Sequence, residues 1–226
     1  MPVTTCKSKA MTSYLALFPL QAVVYPHGGI NLHIFEPRYK QLIAHIRKTG
    51  NTFGIIPYVK GGIAEYGTEV SLISIEREYA DGRLDVKLIG ARVFRLIHFM
   101  SKSEDALYPG GIVTFAHELE SQWPVTEHPG IRIKLNEALK KLGTIVGAQE
   151  KFLLSGEGSL TYQIAHYLGL SVEEEYELLC LPNEYQRQQK ILPWVERAVS
   201  SLNQRHEIKR RIQLNGHFKE LQPPNF

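Results

Sequence analysis

The chain has 226 residues, 43% of them hydrophobic and 22% charged, with a formal net charge of +3. That length supports one sizeable domain or two small ones sharing an interface, and that balance excludes global disorder. The small charge is spread evenly over the two halves, which argues against a dedicated nucleic-acid binder.

No apolar run reaches the roughly 18 to 20 residues of a membrane-spanning helix. The longest, Leu15 to Tyr25, is interrupted by Pro19 and Gln21. Lys7 and Lys9 precede it as in a signal peptide, yet no small-residue cleavage pattern follows before Tyr25-Pro26. The chain therefore reads as cytoplasmic, with no membrane partner. Cys6 and Cys180 are the only cysteines, so neither a disulfide framework nor a thiolate metal site is indicated. Cys180, after Leu178-Leu179, reads as a small buried apolar residue.

In chain order, residues 1–13 are expected to be a flexible N-terminus, and short strands dominate from Leu15 to about Leu119. One helix interrupts them. Glu36-Pro37 opens it, with proline at the first helical position where its missing N–H costs nothing. Tyr39, Leu42, Ile43 and Ile46 form one apolar stripe, and Thr49-Gly50-Asn51 closes it with a glycine C-cap signal. Val70, Leu72 and Ile75 lie in a further apolar run. Leu84, Val86 and Leu88 alternate with Asp85 and Lys87, the period of a strand with one buried face. Asp81-Gly82 between the two predicts a hairpin turn. Val93 to Met100 follows Gly90, where a bulge or bend would let a sheet curl. Ile112 to Leu119 adds a strand after a Tyr108-Pro109-Gly110-Gly111 turn. Short strands with glycine-rich turns suggest a small closed or half-closed barrel.

After Gln122-Trp123-Pro124 the period becomes helical. Ile131, Leu135, Ala138, Leu139 and Leu142 share a face, with Gly143 expected to close that helix. Residues 147–158 read as a loop anchored by Phe152-Leu153-Leu154. Ser159 is expected to cap a short helix holding Leu160, Ile164, Ala165 and Leu168, ended by Gly169. Ser171-Val172-Glu173-Glu174 fits a capping box. A last helical region starts near Pro182-Asn183-Glu184 and contains Pro193, where it is either kinked or broken and restarted. The tail from Gly216 is expected to fray. The organisation expected is thus a β-rich subdomain over 14–122, a helical subdomain over 123–215 and a flexible tail over 216–226.

Several segments together carry a family resemblance. Tyr14-Leu-Ala-Leu-Phe-Pro-Leu-Gln-Ala-Val-Val-Tyr-Pro26 is followed by Leu32-His-Ile-Phe-Glu-Pro-Arg-Tyr39. Phe53-Gly54-Ile55, Tyr66-Gly67-Thr68, Asp81-Gly82-Arg83 and Gly90-Ala91-Arg92-Val93-Phe94-Arg95 come next, then Leu178-Leu179-Cys180-Leu181-Pro182 and Glu184-Tyr185-Gln186-Arg187. In this order they resemble the N-terminal, substrate-binding domain of Lon-type ATP-dependent proteases, over roughly residues 14 to 200. The resemblance implies an α+β fold: a β-rich, PUA-like pseudobarrel with one helix, followed by a C-terminal helical bundle. It also implies recognition of unfolded or extended polypeptides, with a protease or chaperone as a further partner. The family-motif residues, expected to be structural, are Phe18, Pro19, Leu20, Phe35, Glu36, Pro37, Arg38, Tyr39, Phe53, Gly54, Gly67, Thr68, Gly90, Arg92 and Phe94.

Enzymatic signatures are missing from the sequence. A P-loop needs Gly-Lys at its end, and no Gly-Lys dipeptide occurs. The chain also ends where the ATPase and Ser-Lys peptidase of a full protease would begin, so a non-catalytic binding module, adaptor-like in role and without a cofactor, is expected. Nine histidines invite a metal, but His27, His33 and His45 lack ligand spacing, and His117-Glu118 and His206-Glu207 lack the second histidine of HExxH. No GxSxG occurs; Ser155-Gly156-Glu157-Gly158-Ser159 reads as a loop. The glycine pairs at 28–29, 61–62 and 110–111 read as turns. Arg205, Lys209, Arg210 and Arg211 read as a solvated helix face, and Glu173-Glu174-Glu175 with Glu177 as charges that favour a helix N-terminus. Glu36 is expected to favour the positive helix end and Arg38 to pair internally, fixing the helix against the barrel. The other reading is an exposed Arg38 that meets a carboxylate or phosphate on a partner. Tyr25, Tyr58, Tyr66 and Tyr79, near strand ends, are candidates for a peptide groove, alongside an open strand edge that accepts an added strand. Two other readings are a PUA-like nucleic-acid binder, by fold analogy, and a small-molecule site in the barrel.

Overall fold

The computed structural model describes residues 12–101, 106–115, 129–147 and 159–216. Expectations for residues 1–11, 116–128, 148–158 and 217–226 fall outside these, among them the strand end at Leu119, the Phe152-Leu153-Leu154 anchor and the tail. The elements in chain order are β1 (Thr12–Leu20), β2 (Gly29–Ile34), α1 (Pro37–Thr49), β3 (Phe53–Val59), β4 (Gly62–Ile63), β5 (Tyr66–Glu78), β6 (Leu84–Met100) and β7 (Gly110–Phe115). They are followed by α2 (Pro129–Val146), α3 (Leu160–Ala165), α4 (Val172–Leu179) and α5 (Glu184–Gly216). The fold is mixed α/β, a β-rich sheet with helices. The chain falls into two compact units, one of Met1–Thr126 with Glu157–Arg187, the other of Glu127–Gly156 with Gln188–Phe226. The short helices α3 and α4 thus group with the strands rather than with α2.

In the first unit the strand pairings form a closed circuit. β1 pairs antiparallel with β7, β7 with β6, β6 with β5 and β5 with β3, and β3 returns to β1 in a parallel pairing. β2 adds to the first half of β6, Gly29 opposite Ile89 through Ile34 opposite Leu84. β1 begins at Thr12, two residues before the expected start, because Thr12 and Ser13 pair with Thr114 and Val113. Its near-continuous apolar sequence reflects burial on both faces. Ala16, Phe18 and Leu20 meet one core, with Tyr39, Leu42, Ile43 and Ile46 of α1, while Leu15 and Leu17 meet another, with Ile56, Phe94 and Val113. Each fully buried Leu or Phe stabilises by about 1.5–3 kcal/mol, so this alternation fixes the register of β1.

The helix α1 starts at Pro37 and ends with Gly50 in the left-handed conformation, its N–H returning to the Ile46 carbonyl. The β5–β6 hairpin turns at Asp81-Gly82 as expected, in a three-residue form. The Gly82 N–H donates to the Tyr79 carbonyl and the Tyr79 N–H to the Arg83 carbonyl, and in this turn only Gly82 takes a positive φ. The expected irregularity near Gly90 is a bulge: Glu69 faces Arg92 and Val70 faces Gly90, leaving Ala91 over. The strand itself runs on without a break, so one 17-residue β6 serves two neighbours, β2 early and β7 late. Gly110 and Gly111 are correspondingly the first residues of β7 and not a turn.

In the helical segments, α2 continues through Gly143 to Val146, and Gly147 takes the left-handed conformation. Gly143 is buried between Leu139 and Gly147 on the face that also carries Leu135 and Leu142, where a small residue is tolerated without stopping the helix. Ser159 precedes α3 but makes no cap hydrogen bond with its side chain; the Glu184 carboxylate accepts from the Thr161 N–H instead, at 3.2 Å. The capping box of Ser171 and Glu174 is present in both directions, at 3.2 and 3.0 Å. Asn183 caps α5 by accepting from the Gln186 N–H, and α5 runs through Pro193 without interruption.

Candidate functional site

Several of the family-motif residues lie at close approaches within the sheet. Gly67 lies opposite Phe94 in the β5–β6 ladder. A Cβ at Gly67 would sit 2.6 Å from the Phe94 ring and 2.6 Å from the Ile55 carbonyl oxygen; one at Gly54 would sit 2.7 Å from the same ring. The two glycines leave the space that the fully buried Phe94 fills. Gly90 faces backbone: a Cβ there would lie 2.1 Å from the Tyr25 carbonyl oxygen, because the connection from β1 to β2 crosses β6 at this point. The crossing is held by His27 N–H to the Gly90 carbonyl and Gly90 N–H to the Gly28 carbonyl. The buried Thr68 hydroxyl donates to the Val24 carbonyl at 2.5 Å. Arg92 reaches across to the nearly buried Glu69 carboxylate at 2.5 Å, where Thr52 also donates. Phe18 stacks on Tyr39 at 3.9 Å, Phe53 is fully buried, and Pro19 and Leu20 pair with Ile56 and Pro57. Glu36 and Arg38 pair at 2.7 Å on the surface, and Phe35, by contrast, is 60% exposed.

The four groove tyrosines are not brought together. Tyr25 is fully buried, stacked on Tyr162 at 4.7 Å with its hydroxyl donating to the Glu175 carbonyl. Burial pushes its phenol pKa well above the ordinary value, and it cannot line an open groove. Tyr66 sits under the Tyr176 hydroxyl, which accepts from the Glu65 and Tyr66 N–H groups at 3.1 Å each. Tyr58 ties its own hairpin by donating to the Gly61 carbonyl. Tyr79 donates to Asp85, which also meets His33 at 2.6 Å. Alternation places aromatics on strands; it does not say which sheet face α3 and α4 cover.

The feature that resembles a binding site lies elsewhere, along the second half of β5. From Thr68 to Val70 this strand is paired on both edges, with β3 and with β6. From Ser71 to Glu78 its ladder is with β6 alone, so among the described residues the other edge of that stretch carries no backbone partner. β3 cannot follow because the chain before Phe53 rises through Gly50 and Asn51 into α1. Between that edge and the end of α1 lies a groove of about 400 Å³ lined by Ile46, Arg47, Gly50, Asn51 and residues 71–75. Leu72 and Ile75 form its floor over the core, while Ile73 is 56% exposed. Arg47 meets Glu78 at 3.4 Å at one end. Bulges at Ile73 and Glu76 interrupt the ladder to β6. The three-residue step from Leu72 to Ile75 in the apolar run was the available sequence signal, since strict alternation would have stepped by two.

Among the described residues no group of three metal-ligating side chains converges, and no helix is long and apolar enough to cross a membrane. Cys180 is half-buried beside Tyr176, and burial pushes its thiol pKa up, away from the thiolate character a nucleophile needs.

The comparisons with known proteins agree with this architecture. The family model of the ATP-dependent protease La (LON) substrate-binding domain matches residues 14–197. A crystal structure of a Lon N-terminal domain protein from Xanthomonas campestris is similar at 26% identity and a TM-score of 0.61, covering 80% of this chain and 98% of that one. The N-terminal domain of the Mycobacterium avium complex Lon protease shares the fold at 14% identity and a TM-score of 0.61, covering 81% of this chain and 98% of that one. With the family model spanning most of its length, the chain belongs to the LON substrate-binding domain family.

Proposed function

We propose that this protein is a non-catalytic module that binds extended or unfolded polypeptide. The observation that carries the reading is the match of residues 14–197 to a substrate-binding domain whose parent is a protease. The structure supports it with an open, largely uncharged groove beside an unpaired strand edge. In this reading the closed strand circuit is a PUA-like pseudobarrel serving as a rigid frame, and the protein acts as a cytoplasmic adaptor that presents captured chains to a protease or chaperone. Contacts of this kind are individually weak, so a short peptide should bind at about micromolar affinity or poorer.

The test is a binding measurement with a reduced, carboxymethylated protein and with the same protein folded. Retention of the unfolded form alone, without added nucleotide, is the expected result. Equal retention of both forms would overturn the reading. Little salt dependence is expected, since binding that rested on phosphate contacts would weaken steeply as salt releases counterions.

A further inference from the structure

We infer that the edge of β5 from Ser71 to Glu78 captures an uncharged, apolar-rich polypeptide segment as an added strand, with the groove at the end of α1 taking its side chains. The inference rests on the polypeptide-binding reading above and specifies its mode. Three observations point to this occupant. First, the pairing on this edge stops at Val70, where β3 leaves it, so a new strand continues an antiparallel ladder that already exists. A row of unpaired N–H and C=O groups fits one chemistry closely, an extended peptide backbone.

Second, the charge of the lining selects what enters. Arg47 is the only ionised side chain among the groove residues, and Glu78 already pairs with it. The exposed charges of Glu76, Arg77 and Glu78 follow on the edge beyond the groove lining at Ser71–Ile75, where the side chains of the captured segment are taken. A charged side chain pushed against Ile46, Leu72 and Ile75 would lose water without gaining a partner. Alternate residues of an added strand point the same way, so every second side chain of the captured segment faces this apolar floor.

Third, the shape favours a single strand over a second copy of this chain. The end of α1 lines the groove beside the edge, through Ile46, Arg47, Gly50 and Asn51. The bulges at Ile73 and Glu76 break the regular register, which weighs against a long sheet-to-sheet pairing and suits a short segment.

The experiment uses the full chain and a labelled ten-residue peptide of alternating valine and threonine, with a counterpart N-methylated through its six central residues. The counterpart keeps the side chains and loses backbone donors on both edges. The unmodified peptide is expected to bind about tenfold or more tightly than the methylated one, the loss of one or two net hydrogen bonds. Amide exchange at Ser71–Glu78 should slow only with the unmodified peptide. Ile73→Lys, which puts a charge on the edge, should weaken binding by a similar factor. Equal affinity for the two peptides would overturn strand addition while leaving polypeptide binding intact. Failure of both peptides and of a reduced, carboxymethylated chain would overturn polypeptide binding itself. Self-association of the free chain, abolished by Ile73→Lys, would assign the edge to a second copy and overturn the proposal. The contrast between the two peptides is read on the unaltered chain and does not depend on any variant folding.

Discussion

The two halves of β5 carry similar residues and live in different surroundings. Thr68, Glu69 and Val70 are buried, with β3 on one side and β6 on the other. Ile73, Glu76, Arg77 and Glu78 are exposed, with β6 alone. In the first half Gly67 to Val70 are buried and a Cβ at Gly67 would meet Phe94 and the Ile55 carbonyl, so the sequence there is set by sterics. In the second half one edge is open, and the sequence shows the devices that keep such an edge from uncontrolled pairing, namely bulges and charges. A single strand thus joins a frame to a docking surface.

The largest effect that can test this contrast is at the confined end. Gly90→Ala places a Cβ against the Tyr25 carbonyl, and moving backbone to relieve it should cost about 3 kcal/mol. A urea-unfolding midpoint close to the parent value would show that the crossing of β6 is looser than described. Tyr176→Phe removes the acceptor for the Glu65 and Tyr66 N–H groups and should cost about 1–2 kcal/mol. It should also change the alkaline limb of stability. Burial pushes the Tyr176 pKa up from 10.0 to about 12, so the fold favours the neutral phenol. That contribution is complete below the unfolded value and is lost as pH rises toward the folded one. The variant should therefore be less sensitive between pH 10 and 12, read from thermal midpoints.

A smaller effect is expected on the outer face of the open half. Hydrogen bonds from His33 and then Tyr79 hold the Asp85 carboxyl below its usual 3.8. This stabilisation is present above the unfolded pKa and lost as pH falls through the folded one. Asp85→Asn should flatten the acid limb below that value, and an unchanged limb would remove Asp85 from the account. The smallest effect is at the edge itself, where Ile73→Lys should alter stability by no more than about 0.5 kcal/mol. A large loss there would mean that Ile73 belongs to the core, and the comparison would fail.

Much of the frame was legible because its causes are local. Pro37 and Gly50 bound α1, Asp81-Gly82 turns the hairpin, and Ser171 with Glu174 forms its box; each is backbone chemistry within a few residues. Gly143 misled because a small residue on a buried helix face looks like a stop signal when its packing is unseen. Ser159 misled because its capping role falls to Glu184, 25 residues away. The groove tyrosines show the same limit. Tyr25 has the sequence features of a strand-end aromatic, yet Tyr162 and Glu175 cover it from a segment far along the chain.

By itself the sequence determined the bounds of α1, the Asp81-Gly82 turn, the capping box at Ser171 and the set of motifs that mark the family, since those follow from steric rules acting within a few residues. Tertiary structure decided which edge of β5 stays open, that β1 and β3 close the strand circuit, and that α3 and α4 group with the strands. Each of these depends on which distant segment arrives beside a given edge or face, and no local period or propensity encodes that arrival.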